Sequence, residues 1–169
     1  AGWVGAISPP GVTGFGEEDA RGVWQGGNAA FMRNWPYAYS LGQADDSPIK
    51  DLFDVSPLPA GASGSGSATL GGWQLAVSKY SEHPDVAADL ALFMASYDEQ
   101  KVRAIEGSFN PTSMSLYQDA DVLEATPFFG SLYDVFINAV ARPSTATAPN
   151  YTPTSTLFYN AVHSVLTGE

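Results

Sequence analysis

The chain has 169 residues, 44% of them hydrophobic and 12% aromatic, which is long and apolar enough for one domain with a core and excludes a disordered chain. Its 18 acidic and 7 basic residues give a net charge of -11, which repels phosphate backbones and argues against nucleic acid as a partner. The chain has no cysteine, which excludes disulfides, thiolate metal sites and a cysteine nucleophile.

The first half of the chain predicts short elements between glycines and prolines. Because the chain opens at Ala1 without an initiator methionine, we expect a processed or truncated start. Thr13 is expected to cap a helix that runs to about Gln25 and stops at the glycines that follow. A helical turn is expected over residues 36–41, and the Gly/Ser-rich stretch 60–72 predicts a mobile loop. Three short strands are expected over residues 29–33, 53–58 and 73–77.

The second half of the chain predicts four helices. The first begins at Pro84, the second covers residues 98–106, and the third has an apolar face between residues 128 and 139. The fourth covers residues 152–168, and residues 117–121 predict a turn that leads into a further helix start. The fourth helix is expected to turn inward its apolar residues Leu157, Phe158, Ala161, Val162 and Val165. Strands combined with helices predict an α/β or α+β fold.

Motifs of catalysis, metal binding and phosphate binding are missing from the sequence. His83 and His163 lie in different predicted elements without HExxH spacing, so no metal site is expected. No GxSxG elbow, P-loop or dinucleotide-binding glycine pattern is present, so no cofactor is expected. The acidic pair of a glycosidase would have to come from carboxylates whose positions are typical of surface charge and helix capping. These carboxylates are Glu17, Glu18, Asp45, Asp46 and Asp54. We therefore expect no catalytic residues.

Two aromatic segments stand out, Asn34-Trp35-Pro36-Tyr37 and Gly71-Gly72-Trp73. Flat rings beside residues that break regular structure suit flat, half-apolar ligands, such as the C–H face of a sugar. On composition alone, however, burial of both tryptophans in the core is the stronger interpretation. Arg142 also has two interpretations, because a helix dipole favours an arginine at its C-terminus and a guanidinium can equally donate hydrogen bonds to a ligand.

A family resemblance decides between these interpretations. The segment from Val23 to Tyr37 resembles the F-x-x-G-x-A-A-M-x-x-x-W segment of carbohydrate-binding proteins of bacterial ABC importers, the extracellular solute-binding protein family 1. The segment from Gly71 to Lys79 resembles the family's GGW-x-L-x-V/I-S motif. The resemblance continues through Asn110-Pro111-Thr112 and Arg142-Pro143, and it is closest to the trehalose/maltose-type branch. It implies the C-terminal part of a two-lobed periplasmic-binding-protein-like (Venus flytrap) α/β fold with a helix-rich second half.

The resemblance also implies a ligand, partners and a location. In the trehalose/maltose branch, residues that match five positions of this chain line the sugar site. These positions are Trp35, Tyr37, Gly72, Trp73 and Arg142. The implied ligand is a disaccharide like trehalose, maltose or sucrose, bound without catalysis in an aromatic-lined cleft between the lobes. The implied partners are the permease subunits of an ABC importer, and the implied location is periplasmic or extracellular, with or without a lipid anchor. A fragment of a glycoside-processing enzyme with an aromatic sugar platform stays open as the alternative.

Members of this family are much longer than the chain, and their acidic sugar contacts come from an N-terminal portion without a counterpart here. By resemblance, residues 1–72 and 113–169 belong to the C-terminal lobe. Residues 73–112 are expected to pack on the N-terminal lobe, which is the remaining portion of the same protein. Helices within residues 84–106 would then expose apolar faces unless other polypeptide covers them.

Overall fold

The computed structural model describes residues 2–62, 64 and 66–169. Two compact units divide the chain: unit 1 contains residues 1–34 and 142–169, and unit 2 contains residues 35–141. The described residues form two 3₁₀ helices, Pro10–Gly14 and Met114–Gln118. They also form the α-helices α1 (Glu17–Gln25), α2 (Ala38–Gly42), α3 (Pro84–Met94), α4 (Tyr97–Gly107), α5 (Ala120–Ala125), α6 (Phe129–Ile137), α7 (Ser144–Thr147) and α8 (Tyr151–Thr167). The predicted lobe boundaries near residues 72 and 113 stay a prediction.

The three predicted strands do not form, because they find no partner within the described part of the chain. Residues 29–33, 53–58 and 73–77 are irregular there. Among the described residues of unit 2, β pairing is limited to an isolated bridge between Thr69 and Val140, in which the Leu70 N–H donates to the Val140 carbonyl at 2.9 Å. A strand needs a neighbour for its backbone N–H and C=O groups, and alternating apolar residues alone do not supply one.

The helix boundaries mostly follow the prediction, with one error at α1. Thr13 does not cap α1, because Pro10 starts a separate 3₁₀ turn that includes it. The N-cap of α1 is Gly16, whose N–H donates to the Asp19 carboxylate at 2.9 Å. The predicted end of α1 at Gln25 is confirmed. Of the Gly/Ser-rich stretch, Ser63 and Ser65 lie outside the described residues, as does Ala1 at the predicted processed start.

The core of unit 2 lies where α4, α5, α6 and the 3₁₀ helix Met114–Gln118 meet. Its buried residues are Ala104, Leu116, Tyr117, Val122, Phe128, Phe129 and Leu132. The rings of Phe128 and Phe129 meet edge to face with centroids 5.0 Å apart, and the Tyr117 ring lies 5.5 Å from the Phe136 ring. Aromatic pairs of this kind contribute about 0.5–1.5 kcal/mol each beyond the area they bury. The apolar face predicted between residues 128 and 139 is confirmed as part of this core.

Lys101 ties α4 to the start of α5. Asp119 caps α5, since its Oδ1 accepts hydrogen bonds from the N–H groups of Asp121 at 3.0 Å and Val122 at 3.3 Å. The Lys101 ammonium donates to Asp119 Oδ2 at 2.9 Å and to Asp121 Oδ2 at 2.6 Å. The hydrogen bond from Lys101 lowers the pKa of Asp119, and the two carboxylates raise the pKa of Lys101. The helix start predicted within residues 117–121 is thereby confirmed.

The longest helix of unit 1, α8, does not bury its apolar side. It ends as predicted at Gly168, which adopts the left-handed conformation with φ +84° and donates its N–H to the Ser164 carbonyl. Within unit 1 it contacts α7 and the 3₁₀ helix Pro10–Gly14. The five residues predicted to face inward are nevertheless exposed: Leu157, Phe158, Ala161, Val162 and Val165. The apolar period predicts the helix and its apolar side, but burial needs a second surface, which the described part of unit 1 does not supply.

Candidate functional site

Trp35 and Tyr37 lie on the turn that leads into α2. The Trp35 carbonyl accepts a hydrogen bond from the Ala38 N–H at 3.1 Å, and the Pro36 carbonyl accepts one from the Tyr39 N–H at 2.9 Å. Pro36 fixes its own φ and has no N–H to satisfy, which suits this first turn. The Trp35 side chain is 40% exposed and Tyr37 is half-buried. Both residues are therefore partly accessible to solvent.

Two neighbouring residues anchor this turn, and no sequence motif indicated their role. The Tyr39 ring packs on Phe128, with centroids 4.6 Å apart. The Ser40 hydroxyl lies 3.1 Å from the Tyr37 carbonyl and 3.2 Å from the Gly107 carbonyl, so it links the turn to the end of α4. Since Ser40 and Gly107 are 67 residues apart in the chain, no local pattern reveals the contact. These bonds hold the backbone below Trp35 and Tyr37.

Gly72 and Trp73 lie on an irregular segment of the same unit. The Trp73 side chain is fully exposed, at 103% of its reference area, which contradicts the interpretation of Trp73 as a core residue. Gly72 is also exposed, and a Cβ added to it would meet no atom within 4 Å. An indole exposed beside bare backbone leaves both groups available to a ligand or to another polypeptide.

Arg142 belongs to unit 1, whereas the other four candidate residues belong to unit 2. It is exposed and follows the end of α6, at Ile137, by five residues. A helix dipole acts only within the last turn of the helix, so the interpretation of Arg142 as a favoured charge at a helix end is wrong. The Arg142 carbonyl accepts a hydrogen bond from the Ser144 N–H at 2.7 Å. This contact involves the backbone of Arg142 and not its guanidinium.

A cavity of about 410 Å³ in unit 2 is lined by residues other than these candidates. Its lining residues are Pro57, Leu58, Gly66, Ser67, Ala68, Asp134, Val135 and Asn138. Gly66 is required here, because a Cβ at this position would overlap the Leu58 carbonyl oxygen. Among the described residues, His, Asp and Glu side chains do not gather in groups that could hold a metal ion. None of the described helices has the length and apolarity that a membrane crossing requires.

Similarity to known proteins places the chain in a family. Residues 3–101, more than half of the chain, match the family described as bacterial extracellular solute-binding protein. The chain belongs to this family. This solute-binding protein is 58% identical over 166 residues to a probable ABC transporter-binding protein of Deinococcus radiodurans, a match that covers 98% of this chain and 40% of that relative.

A solved structure supports the fold of this solute-binding protein. Maltose-bound T. maritima MalE3 is 48% identical to it and superposes with a TM-score of 0.87, over 94% of this chain and 40% of that one. The fold class predicted from the sequence, part of a two-lobed periplasmic-binding-protein-like fold with a helix-rich second half, is confirmed by this match. Solute-binding proteins of ABC transporters are not enzymes, so the glycoside-processing alternative is set aside. The chain spans about two fifths of the length of the two proteins described here.

Proposed function

We propose that this solute-binding protein serves as the substrate-binding component of an ABC sugar importer and binds a disaccharide like trehalose, maltose or sucrose. The observation that carries the proposal is the likeness to maltose-bound T. maritima MalE3, at 48% identity over nearly the whole chain. The chain would supply the C-terminal portion of the binding protein. Its partners would be the permease subunits of the importer, and its location periplasmic or extracellular, with or without a lipid anchor.

The proposed ligand residues are Trp35, Tyr37, Gly72, Trp73 and Arg142. Indole rings that are exposed, as those of Trp35 and Trp73 are, can stack on the apolar C–H faces of a sugar. The bare backbone of Gly72 lets a hydroxyl approach without a side chain in the way. Tyr37 and Arg142 would donate hydrogen bonds to ring and hydroxyl oxygens.

The proposed lobe assignment explains a second exposed surface. We assign residues 1–72 and 113–169 to the C-terminal lobe, and we propose that residues 73–112 pack on an N-terminal lobe. Support comes from the apolar side chains that this segment exposes. Among them are Leu75, Val86, Leu90, Leu92 and Phe93. Exposed apolar surface on this scale is unusual in a monomer and is typical of a surface that packs against other polypeptide.

The proposal is tested with a full-length chimaera, in which this chain replaces the matched region of the D. radiodurans relative. Calorimetry with maltose, trehalose and sucrose measures binding, and chromatography of the sugar after incubation measures turnover. We expect micromolar binding of at least one of the three sugars, which then elutes unchanged. A folded chimaera that binds none of the three, or that converts the sugar, overturns the proposal.

A further inference from the structure

The Ser40 hydroxyl faces two carbonyl oxygens but has a single proton to donate. It lies 3.1 Å from the Tyr37 carbonyl, three residues back in the chain, and 3.2 Å from the Gly107 carbonyl at the end of α4. In α6, the Ser131 hydroxyl makes only the local kind of bond among the described residues, to the Phe128 carbonyl at 2.8 Å. The two serines therefore share the local contact, and the contact with a distant helix distinguishes Ser40.

The Gly107 carbonyl is a firmly held acceptor. Gly107 is the last residue of α4, so its C=O has no partner within the helix. The next residue, Ser108, is buried, adopts the left-handed conformation with φ +52° and donates its N–H to the Ala104 carbonyl at 3.1 Å. The Phe109 ring lies 2.6 Å from the place that a Gly107 Cβ would take, so a larger residue would displace it. Since Ala104 belongs to the core of unit 2, the Ser40 hydroxyl reaches a fixed point.

The turn at the other end of this contact has little stability of its own. Helix α2 contains five residues, and no side-chain hydrogen bond caps its start at Tyr37. A helix this short is not stable by itself, so contacts with the rest of the unit determine where it lies. The Tyr39 ring supplies one such contact, since it packs on Phe53 and Phe128 at centroid distances of 5.6 and 4.6 Å. The Ser40 hydroxyl supplies another, directly beside the Tyr37 carbonyl.

We propose that Ser40 is a positioning residue of the proposed sugar site: its hydroxyl, by bonding the Gly107 carbonyl, holds Trp35 and Tyr37 where the ligand meets them. This role rests on the proposed function. Without the hydroxyl the turn samples more conformations in the free protein, and only the fraction with both rings in place binds sugar. The affinity falls by that fraction without any contact between Ser40 and the sugar. The loss of one hydrogen bond predicts a Kd about three- to tenfold higher.

Ser40→Ala in the full-length chimaera tests this role, with Ser131→Ala as the matched control. Both substitutions remove a hydroxyl that bonds the carbonyl three residues back, but only S40A also removes the link to α4. We expect S40A to raise the Kd of the disaccharide about three- to tenfold. S131A, and S40T, which keeps the hydroxyl, should bind as the unsubstituted chimaera does. Calorimetry that finds S40A unchanged, or S131A weakened equally, overturns the proposal.

Hydrogen exchange separates positioning from a general loss of stability. The amides of Ala38 and Tyr39 report on the turn, because each donates to the carbonyl three residues back. We expect both to exchange faster in sugar-free S40A than in the sugar-free unsubstituted chimaera, and the difference to shrink when sugar saturates the site. The amides of α6 should exchange equally in the two proteins. Unchanged exchange in the turn, or equal acceleration in α6, overturns the proposal.

Two further outcomes have distinct meanings. If S40A does not fold, Ser40→Cys takes its place with the same expectations, because a thiol is similar in size and a weak donor. An unsubstituted chimaera that binds none of the three sugars overturns the proposed function, and with it the site that Ser40 would position. Sugar binding by the unsubstituted chimaera that S40A retains in full overturns the role of Ser40 alone.

Discussion

The indole of Trp73 is fully exposed, whereas the Trp35 indole is partly packed on the turn that leads into α2. Replacing an exposed ring by alanine costs little folding stability, so such a substitution reports mainly on ligand binding. We expect Trp73→Ala and Trp35→Ala each to weaken disaccharide binding by the chimaera by about 1–3 kcal/mol, as the loss of a stacking anchor does. Calorimetry measures the affinities. Trp3→Ala, which removes an exposed tryptophan outside the proposed site, is the control and should bind normally. Unchanged affinity in both site variants would remove these rings from the site.

Tyr117 gives the chain a dependence on alkaline pH. It is buried in the core, its hydroxyl donates to the Pro111 carbonyl at 2.9 Å, and burial raises its pKa from 10.0 to about 12. The folded state holds the Tyr117 proton more tightly than the unfolded state does. The free energy of unfolding therefore has its full value below pH 10 and decreases as the pH rises from 10 towards 12. We expect Tyr117→Phe to lose about 1 kcal/mol of unfolding free energy at pH 8, where the hydrogen bond is missing.

The unfolding free energies of the unsubstituted chain and of Tyr117→Phe should converge as the pH rises above 10, since the phenylalanine has no proton to lose. Urea unfolding at pH 8, 10 and 11 measures both proteins, and comparing their difference at each pH cancels the titration of the lysines that they share. A difference that stays constant from pH 8 to 11 would contradict the assignment of this dependence to Tyr117.

At the scale of the elements, Asp119 both caps α5 and bonds Lys101 of α4. Asp119→Ala removes the side chain that caps α5 and also the inner ion pair with Lys101, and we expect it to cost about 1 kcal/mol at pH 7. The pKa of Asp119 is lowered, so its contribution is present above its ordinary pKa and is lost as the pH falls through the lowered value. The deficit of the variant should therefore shrink in strong acid.

Asp121→Ala is the matched control for this substitution. It removes an exposed carboxylate that also bonds Lys101 but leaves the cap in place, so we expect a loss of no more than about 0.5 kcal/mol. Thermal unfolding at pH 7 and in acid measures both variants. Equal losses in the two at pH 7 would show that the ion pairs, and not the cap, hold α5.

Features that depend on neighbouring residues could be predicted from the sequence, whereas features that depend on contacts between distant segments could not. The start of α5 within residues 117–121 and the end of α8 at Gly168 follow from residues within one turn, and both were predicted. The prediction of a strand at residues 73–77 was wrong. Strand pairing depends on a distant partner segment, and the local residue pattern does not reveal whether such a partner exists. The aromatic segments were found by their composition, yet the hydroxyl of Ser40 that anchors one of them acts across 67 residues and leaves no local pattern.

At the scale of the whole molecule, the exposed apolar surfaces lie in both units. In unit 2 they lie on α3 and on residues 73–77, and in unit 1 on the charge-free helix α8. The core of unit 2 is nevertheless well packed around Phe129, so these surfaces are not the sign of a chain without a core. Apolar faces beside a formed core are typical of surfaces that pack against other polypeptide, which agrees with the proposed packing of residues 73–112 on an N-terminal lobe.

The isolated chain should therefore bind sugar weakly or not at all. In the proposed cleft the chain supplies Trp35, Tyr37, Gly72, Trp73 and Arg142, and the contacts from the other wall are missing. Association costs several kcal/mol in lost freedom before any contact is gained, so part of a site retains much less than its share of the affinity. We expect no measurable heat from the 169-residue chain at maltose concentrations that saturate the chimaera, while circular dichroism shows that its helices are formed. Binding by the isolated chain as tight as that of the chimaera would place the whole site within these residues and contradict the two-walled cleft.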